Sequence, residues 1–112
     1  MAEQDQLESF IGSSFRSVWA LEVLQYLVAN PSAKFSAEDL ITALRVSDAV
    51  VSQSVENLAA AGFAVIDSEG RVALHEGDGK KARLVRHAID LYQKRPDMVR
   101  RLIVAQASPG VT

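Results

Sequence analysis

The chain has no cysteine. Disulfides, thiolate metal sites and a Cys nucleophile are therefore excluded. That absence fits a reducing compartment, and a cytoplasmic location is expected. Long apolar runs are missing too. The longest, Leu58 to Ile66, is nine residues even counting Gly62, whereas a membrane helix needs roughly 20. The opening Met1-Ala2-Glu3-Gln4-Asp5 is acidic and polar, which is wrong for a secretory signal. There is no internal repeat and no low-complexity tract. No Gly-rich phosphate loop is present, and no Ser stands in a nucleophile elbow. The two histidines, His75 and His87, have no third ligand at metal spacing. Asp67 and Glu69 are close in sequence but read as solvated turn residues. No catalytic residue, metal or cofactor is expected, and the chain does not read as an enzyme.

What is present is ordinary for a globular protein: 112 residues, 48% hydrophobic and 23% charged. That suits one domain, or one domain with an appendage. A domain of this size buries roughly two-thirds of its unfolded surface, enough to fold without a staple. The charges are segregated. Residues 1–77 hold four basic and eleven acidic residues, a net of −7, and residues 78–112 hold eight basic and three acidic, a net of +5. A basic tail on an acidic body points to an anionic partner, to contact between copies, or simply to a solvated basic helix face.

The elements follow from periodicity and punctuation. Phe15, Val18, Trp19, Val23, Tyr26 and Leu27 recur at spacings of three and four, predicting a helix from about Ser13 or Ser14 to Ala29. Leu7, Phe10 and Ile11 form a lead-in turn, with Gly12-Ser13-Ser14 either interrupting the helix or spanned by it, and Trp19 reads as core. Pro31 stops the helix at Asn30. Lys34 and Phe35 make a short extended piece. Ser36-Ala37-Glu38-Asp39 has the form of a capping box, opening a helix of about eight residues with Leu40, Ile41 and Leu44 inward. After Arg45-Val46, Ser47 caps a third helix from Asp48 to about Ala61, with Val51, Val55 and Leu58 inward. Gly62 stands at the left-handed C-terminal position. Phe63 to Ile66, the turn Asp67-Ser68-Glu69-Gly70 and Arg71 to His75 predict a two-stranded hairpin. Glu76-Gly77-Asp78-Gly79 is a joint. Asp78 then caps a helix to about Arg95, Pro96 breaks it, and residues 97–106 form one more helix. Ser108-Pro109-Gly110 ends the structure.

Helix, short strand, short helix, turn, helix, hairpin: over roughly residues 14–75 this order resembles the winged helix-turn-helix domain. The residues that carry the likeness are Ser36-Ala37-Glu38-Asp39-Leu40, the turn Arg45-Val46-Ser47, and Val51, Val55, Leu58 and Gly62-Phe63 of the third helix and its exit. Bacterial transcriptional regulators of the MarR and ArsR types are similar in this order. The fold expected is thus mainly α with a small β-hairpin: a winged helix-turn-helix core at 1–77 and a helical extension at 78–112.

The resemblance implies DNA binding and transcription regulation. The helix from Ser36 would cross the DNA backbone, the third helix would lie in the major groove, and the hairpin tip would touch the flanking backbone. Residues 79–106 would pair two copies as a homodimer. The implied contact set is Ser36, Arg45, Ser47, Ala49, Ser52, Gln53, Asn57 and Arg71. On the third helix, Ala49, Gln53, Glu56 and Ala60 form the outward face, flanked by Ser52 and Asn57. Gln53 and Asn57 suit adenine, and Arg45 and Arg71 suit phosphate. One absence works against this. From Val46 to Gly70 there is no Lys or Arg. The alternative is a winged helix that binds a protein with little or no intrinsic DNA affinity. Lys80, Lys81, Arg83, Arg86, Arg100 and Arg101 of the tail are a further source of positive charge, for DNA or for acids of the body.

Overall fold

The computed structural model describes residues 2–75 and 77–107. Glu76 of the joint and the expected Ser108-Pro109-Gly110 stop lie outside the described residues. The fold is mainly helical with a small antiparallel sheet, as the periodicity predicts. It divides into two compact units, Trp19–Gly77, and Met1–Val18 together with Asp78–Thr112.

The first unit contains helix α2 (Val18–Ala29), strand β1 (Lys34–Phe35), helices α3 (Ala37–Leu44) and α4 (Asp48–Ala61), and strands β2 (Ala64–Ile66) and β3 (Val72–Leu74). The capping signals in the sequence are all realised here. The Asp39 N–H donates to Ser36 Oγ, and the Ser36 N–H donates back to Asp39 Oδ2, each at 3.0 Å. This reciprocal pair satisfies two helix-end donors at once. The α3–α4 turn is closed by Arg45 at φ 57, and its N–H donates to Ile41 O at 2.8 Å. Ser47 Oγ then accepts from the Val50 N–H at 3.2 Å to start α4.

Gly62, at φ 83, ends α4. The Phe63 N–H reaches Leu58 O at 2.8 Å and the Gly62 N–H reaches Ala59 O at 3.1 Å. These are the two bonds of a Schellman motif, and they aim the chain into β2. The strand order is β1-β3-β2, with Ile66 opposite Val72 and Phe35 also opposite Val72. The Lys34-Phe35 piece therefore joins the hairpin as a third strand. Tyr26 of α2 lies against Phe35 with ring centroids 4.9 Å apart. Leu21, Leu24, Leu27, Leu40, Val51, Leu58, Phe63 and Val72 are buried and form the interior of this unit.

The second unit packs helix α1 (Ala2–Ser14) against α5 (Gly79–Lys94) and α6 (Pro96–Ala107). Ile11, Phe15, Val85, Ala88, Ile89, Tyr92, Val99 and Ile103 are buried in it. Asp78 Oδ1 accepts from the Lys81 N–H at 2.8 Å and caps α5. Arg95, forced out of helical geometry by the following proline, separates α5 from α6, and Pro96 occupies the first turn of α6.

Two expectations are corrected. The N-terminal apolar pattern is not one helix with a lead-in turn. Gly12, Ser13 and Ser14 are spanned by α1, and the break falls at Phe15-Arg16-Ser17. There the helical bond from the Phe15 N–H to Ile11 O has already lengthened to 3.4 Å. The break resets the helical phase, so Phe15 does not share a stripe with the residues of α2. Trp19, inside α2, is not core either. The buried positions of α2 are Ala20, Leu21, Val23, Leu24 and Leu27, and Trp19, at the flank of that arc, is 44% exposed.

One buried group in α4 is out of place. Ser54 is 2% exposed, and among the described residues its Oγ has no hydrogen-bond partner. A buried hydroxyl without a partner costs about 1–3 kcal/mol of desolvation, and Ala is the better helix former. Ser54→Ala should therefore stabilise the protein by about 1 kcal/mol. Urea titration checks this, and a lower denaturation midpoint in the variant would contradict it.

Candidate functional site

Helix α4 and the hairpin form the most distinctive surface of the Trp19–Gly77 unit. The inward positions of α4 are Val51, Ser54, Val55, Asn57 and Leu58. Ala49, Ser52, Gln53, Glu56 and Ala60 are exposed along the opposite side, joined at the N-terminal end by exposed Ser47 and Asp48. Asn57 departs from the expectation. It is 6% exposed, so its amide is not on the outward face. The buried arc is wider than the Val51-Val55-Leu58 stripe, and it takes in a polar residue that the sequence pattern would turn toward water.

Ser36 is half-buried and exposed Ser47 is its counterpart on α4; both hydroxyls accept backbone bonds as helix caps. Arg45 is exposed, and among the described residues its guanidinium makes no ion pair. Arg71 is engaged. Its Nε lies 3.1 Å from Asp67 Oδ2, and a terminal guanidinium nitrogen lies 2.7 Å from Glu69 Oε2. Lys34 Nζ is 3.7 Å from the same Asp67 oxygen. Two cations and two carboxylates thus offset one another at the hairpin, leaving no surplus positive charge for phosphate. The outward face of α4 bears Asp48 and Glu56 and no cation. Over residues 19–77 the sequence has three basic and eight acidic residues, a net of −5.

Asp67 organises the turn. Its Oδ1 accepts from the Glu69 and Arg71 N–H groups, each at 2.9 Å. Sequence reasoning treats this carboxylate as solvated; the useful signal is an Asp at a turn's first position, where its oxygen meets backbone donors further along. The Arg71 N–H, opposed by partial burial and reinforced by the Glu69 N–H and the Arg71 charge, lowers the Asp67 pKa below its ordinary 3.8. A lowered carboxylate pKa means stability that is present above the unfolded value and lost as pH falls through the folded one. Asp67→Asn should therefore destabilise the protein at pH 6, and the difference should vanish as acid protonates Asp67 below its ordinary value. Melting temperatures of both proteins across pH 2–7 measure it; a constant difference down to the lowest pH would contradict it.

Between α4 and the hairpin lies a groove of about 230 Å³. Val51, Val55, Val72 and Ile66 supply its apolar lining, and Ser52 and Glu56 its polar edge. Ile66 is 48% exposed although it faces the same side of the sheet as buried Val72. The groove escapes sequence reading because Val51 and Val55 are read as inward and are buried, while nothing in the β-prone run marks Ile66 as its exposed member.

Among the described residues, no three His, Cys, Asp or Glu side chains gather as a metal site, and no helix is long and apolar enough to cross a membrane. Comparison with family models, curated proteins and solved structures finds no match to this chain.

Proposed function

We propose that the Trp19–Gly77 unit is a winged helix-turn-helix scaffold used to recognise a protein rather than DNA. The order α2, β1, α3, tight turn, α4, β2, β3 supports the scaffold. The observation that carries the choice of partner is electrostatic. The surface that would enter a major groove has no lysine or arginine on α4, and the Arg71 guanidinium at the wing is neutralised by Asp67 and Glu69. Duplex affinity rests largely on neutralising phosphates, so this face has little to offer a polyanion. An apolar groove edged by Glu56 suits a basic amphipathic helix, with apolar anchors between α4 and the hairpin and cations over the carboxylates.

A designed peptide of alternating lysine and leucine faces tests this by fluorescence anisotropy. The full chain should bind it, and Ile66→Glu, which places a charge in the apolar wall, should weaken it about tenfold or more. A peptide with its leucines replaced by serine should fail. Binding indifferent to Ile66→Glu removes the reading.

DNA binding is the second reading. It is favoured by the exposure of Arg45, Ser47, Ala49, Ser52 and Gln53 at the N-terminal half of α4, where base contacts are made in such folds. It calls for a homodimer through residues 79–106 to set the half-site spacing. A mobility-shift titration at low salt, together with a solution mass, separates the two readings.

A further inference from the structure

Unit Met1–Val18 with Asp78–Thr112 holds a second feature, independent of the α4 face. Lys80, Arg83 and His87 are spaced three and four apart on α5, so they share one side of that helix. All three are exposed. They line a cleft of about 220 Å³ whose other walls are Leu84 of α5 and Gln6 and Leu7 of α1. No carboxylate is among these residues. Elsewhere in the same unit cations do find partners: Lys94 meets Asp90 at 3.1 Å and Arg100 meets Asp97 at 3.4 Å. Among the described residues, Lys80, Arg83 and His87 have no such acid. Three basic groups facing one cleft with no carboxylate among its described lining residues raise the potential there, and a partly apolar wall strengthens it.

We propose that this cleft binds a small phosphate monoester carrying an apolar group. Two permanent positive charges and an imidazole match a dianion better than a monoanionic carboxylate. The Arg83 fork can donate two parallel hydrogen bonds to phosphate oxygens, and Lys80 adds a mobile point charge. The Gln6 amide adds a neutral donor. Leu7 and Leu84 give the apolar group its surface. The volume lies below the roughly 300–1,000 Å³ of sites for drug-sized molecules, which limits the ligand to a few atoms beyond the phosphate. Phosphate groups on nucleic acid or on a lipid surface share this chemistry, but the cleft's apolar walls favour a small free ester.

Calorimetric titration of the full chain with phenyl phosphate, inorganic phosphate and benzoate tests the proposal. Phenyl phosphate should bind saturably and about tenfold more tightly than either of the others, since each lacks one half of the recognition. Arg83→Gln and Lys80→Gln, at exposed positions where folding should be unaffected, should each weaken it by about tenfold. Circular dichroism confirms that both variants keep the fold. No saturable binding up to about 10 mM, or binding unchanged in both variants, overturns the site. Tighter Lys80- and Arg83-dependent binding to a 20-base-pair duplex or to anionic phosphatidylserine vesicles than to phenyl phosphate also overturns it, by making a macromolecular surface the ligand.

Discussion

Phe63→Ala should cost the Trp19–Gly77 unit about 3–5 kcal/mol, the range for removing a well-packed buried aromatic. Phe63 is 2% exposed. It sits where α4 passes into β2. Its N–H donates to Leu58 O at the end of α4, and its carbonyl accepts from the His75 N–H at 3.0 Å, closing the far end of the hairpin. The backbone of residue 63 survives the substitution, so the loss is one of packing between α4 and the sheet. A small domain has only about 5–15 kcal/mol in hand, so a large share of the margin would go. Phe63→Leu keeps much of the volume and should cost about 1–1.5 kcal/mol. Urea unfolding followed by far-ultraviolet circular dichroism gives both values. Trp19, the chain's one tryptophan, provides a second signal from within the same unit. An alanine variant as stable as the parent would mean that Phe63 does not join helix to sheet.

The features legible in the sequence were those set by local chemistry. Ser36 with Asp39, Ser47, Gly62 and Asp78 each mark a helix end by a bond or a dihedral that involves only near neighbours, and the structure places a cap at all four. The features that were not legible depend on what lies across from a residue. Lys34-Phe35 is extended by its own pattern, but its pairing with β3 is a long-range event. Ser54 and Asn57 carry polar side chains, and the sequence pattern sets Asn57 beside the outward face. They are buried because the covered arc of α4 is broader than its apolar stripe. Trp19 misleads in the opposite sense: it is large, apolar and one turn from buried Val23, yet the covered arc of α2 runs through Ala20, Leu21, Val23, Leu24 and Leu27 and leaves it at the flank. At the candidate face the sequence exposes the missing cations of α4 directly. It does not expose the engagement of Arg71, because Asp67 and Glu69 become its partners only when the turn closes on the Asp67 side chain.

The same electrostatic logic predicts a switch of partner. Combining Gln53→Lys, Glu56→Lys and Glu69→Gln should give the chain duplex affinity at about 50 mM salt that the proposed reading denies the parent. All three positions are exposed, so the fold has no reason to change. Two substitutions put cations on the outward face of α4, and the third frees one arm of Arg71 from its 2.7 Å bond to Glu69. With two new lysines and a partly released Arg71, about three phosphates come within reach, and the logarithm of affinity should fall against the logarithm of salt with a slope of about −3. Binding of the basic peptide should meanwhile be lost, because Glu56 edges the groove proposed for it and a lysine there would repel it. The two readouts separate the scaffold from its partner. Duplex binding by the unaltered chain, with a comparable salt slope, would defeat the protein-recognition reading. A triple variant that stays folded yet gains no duplex affinity would show that α4 is not shaped to enter a groove, and the winged-helix comparison would fail with it.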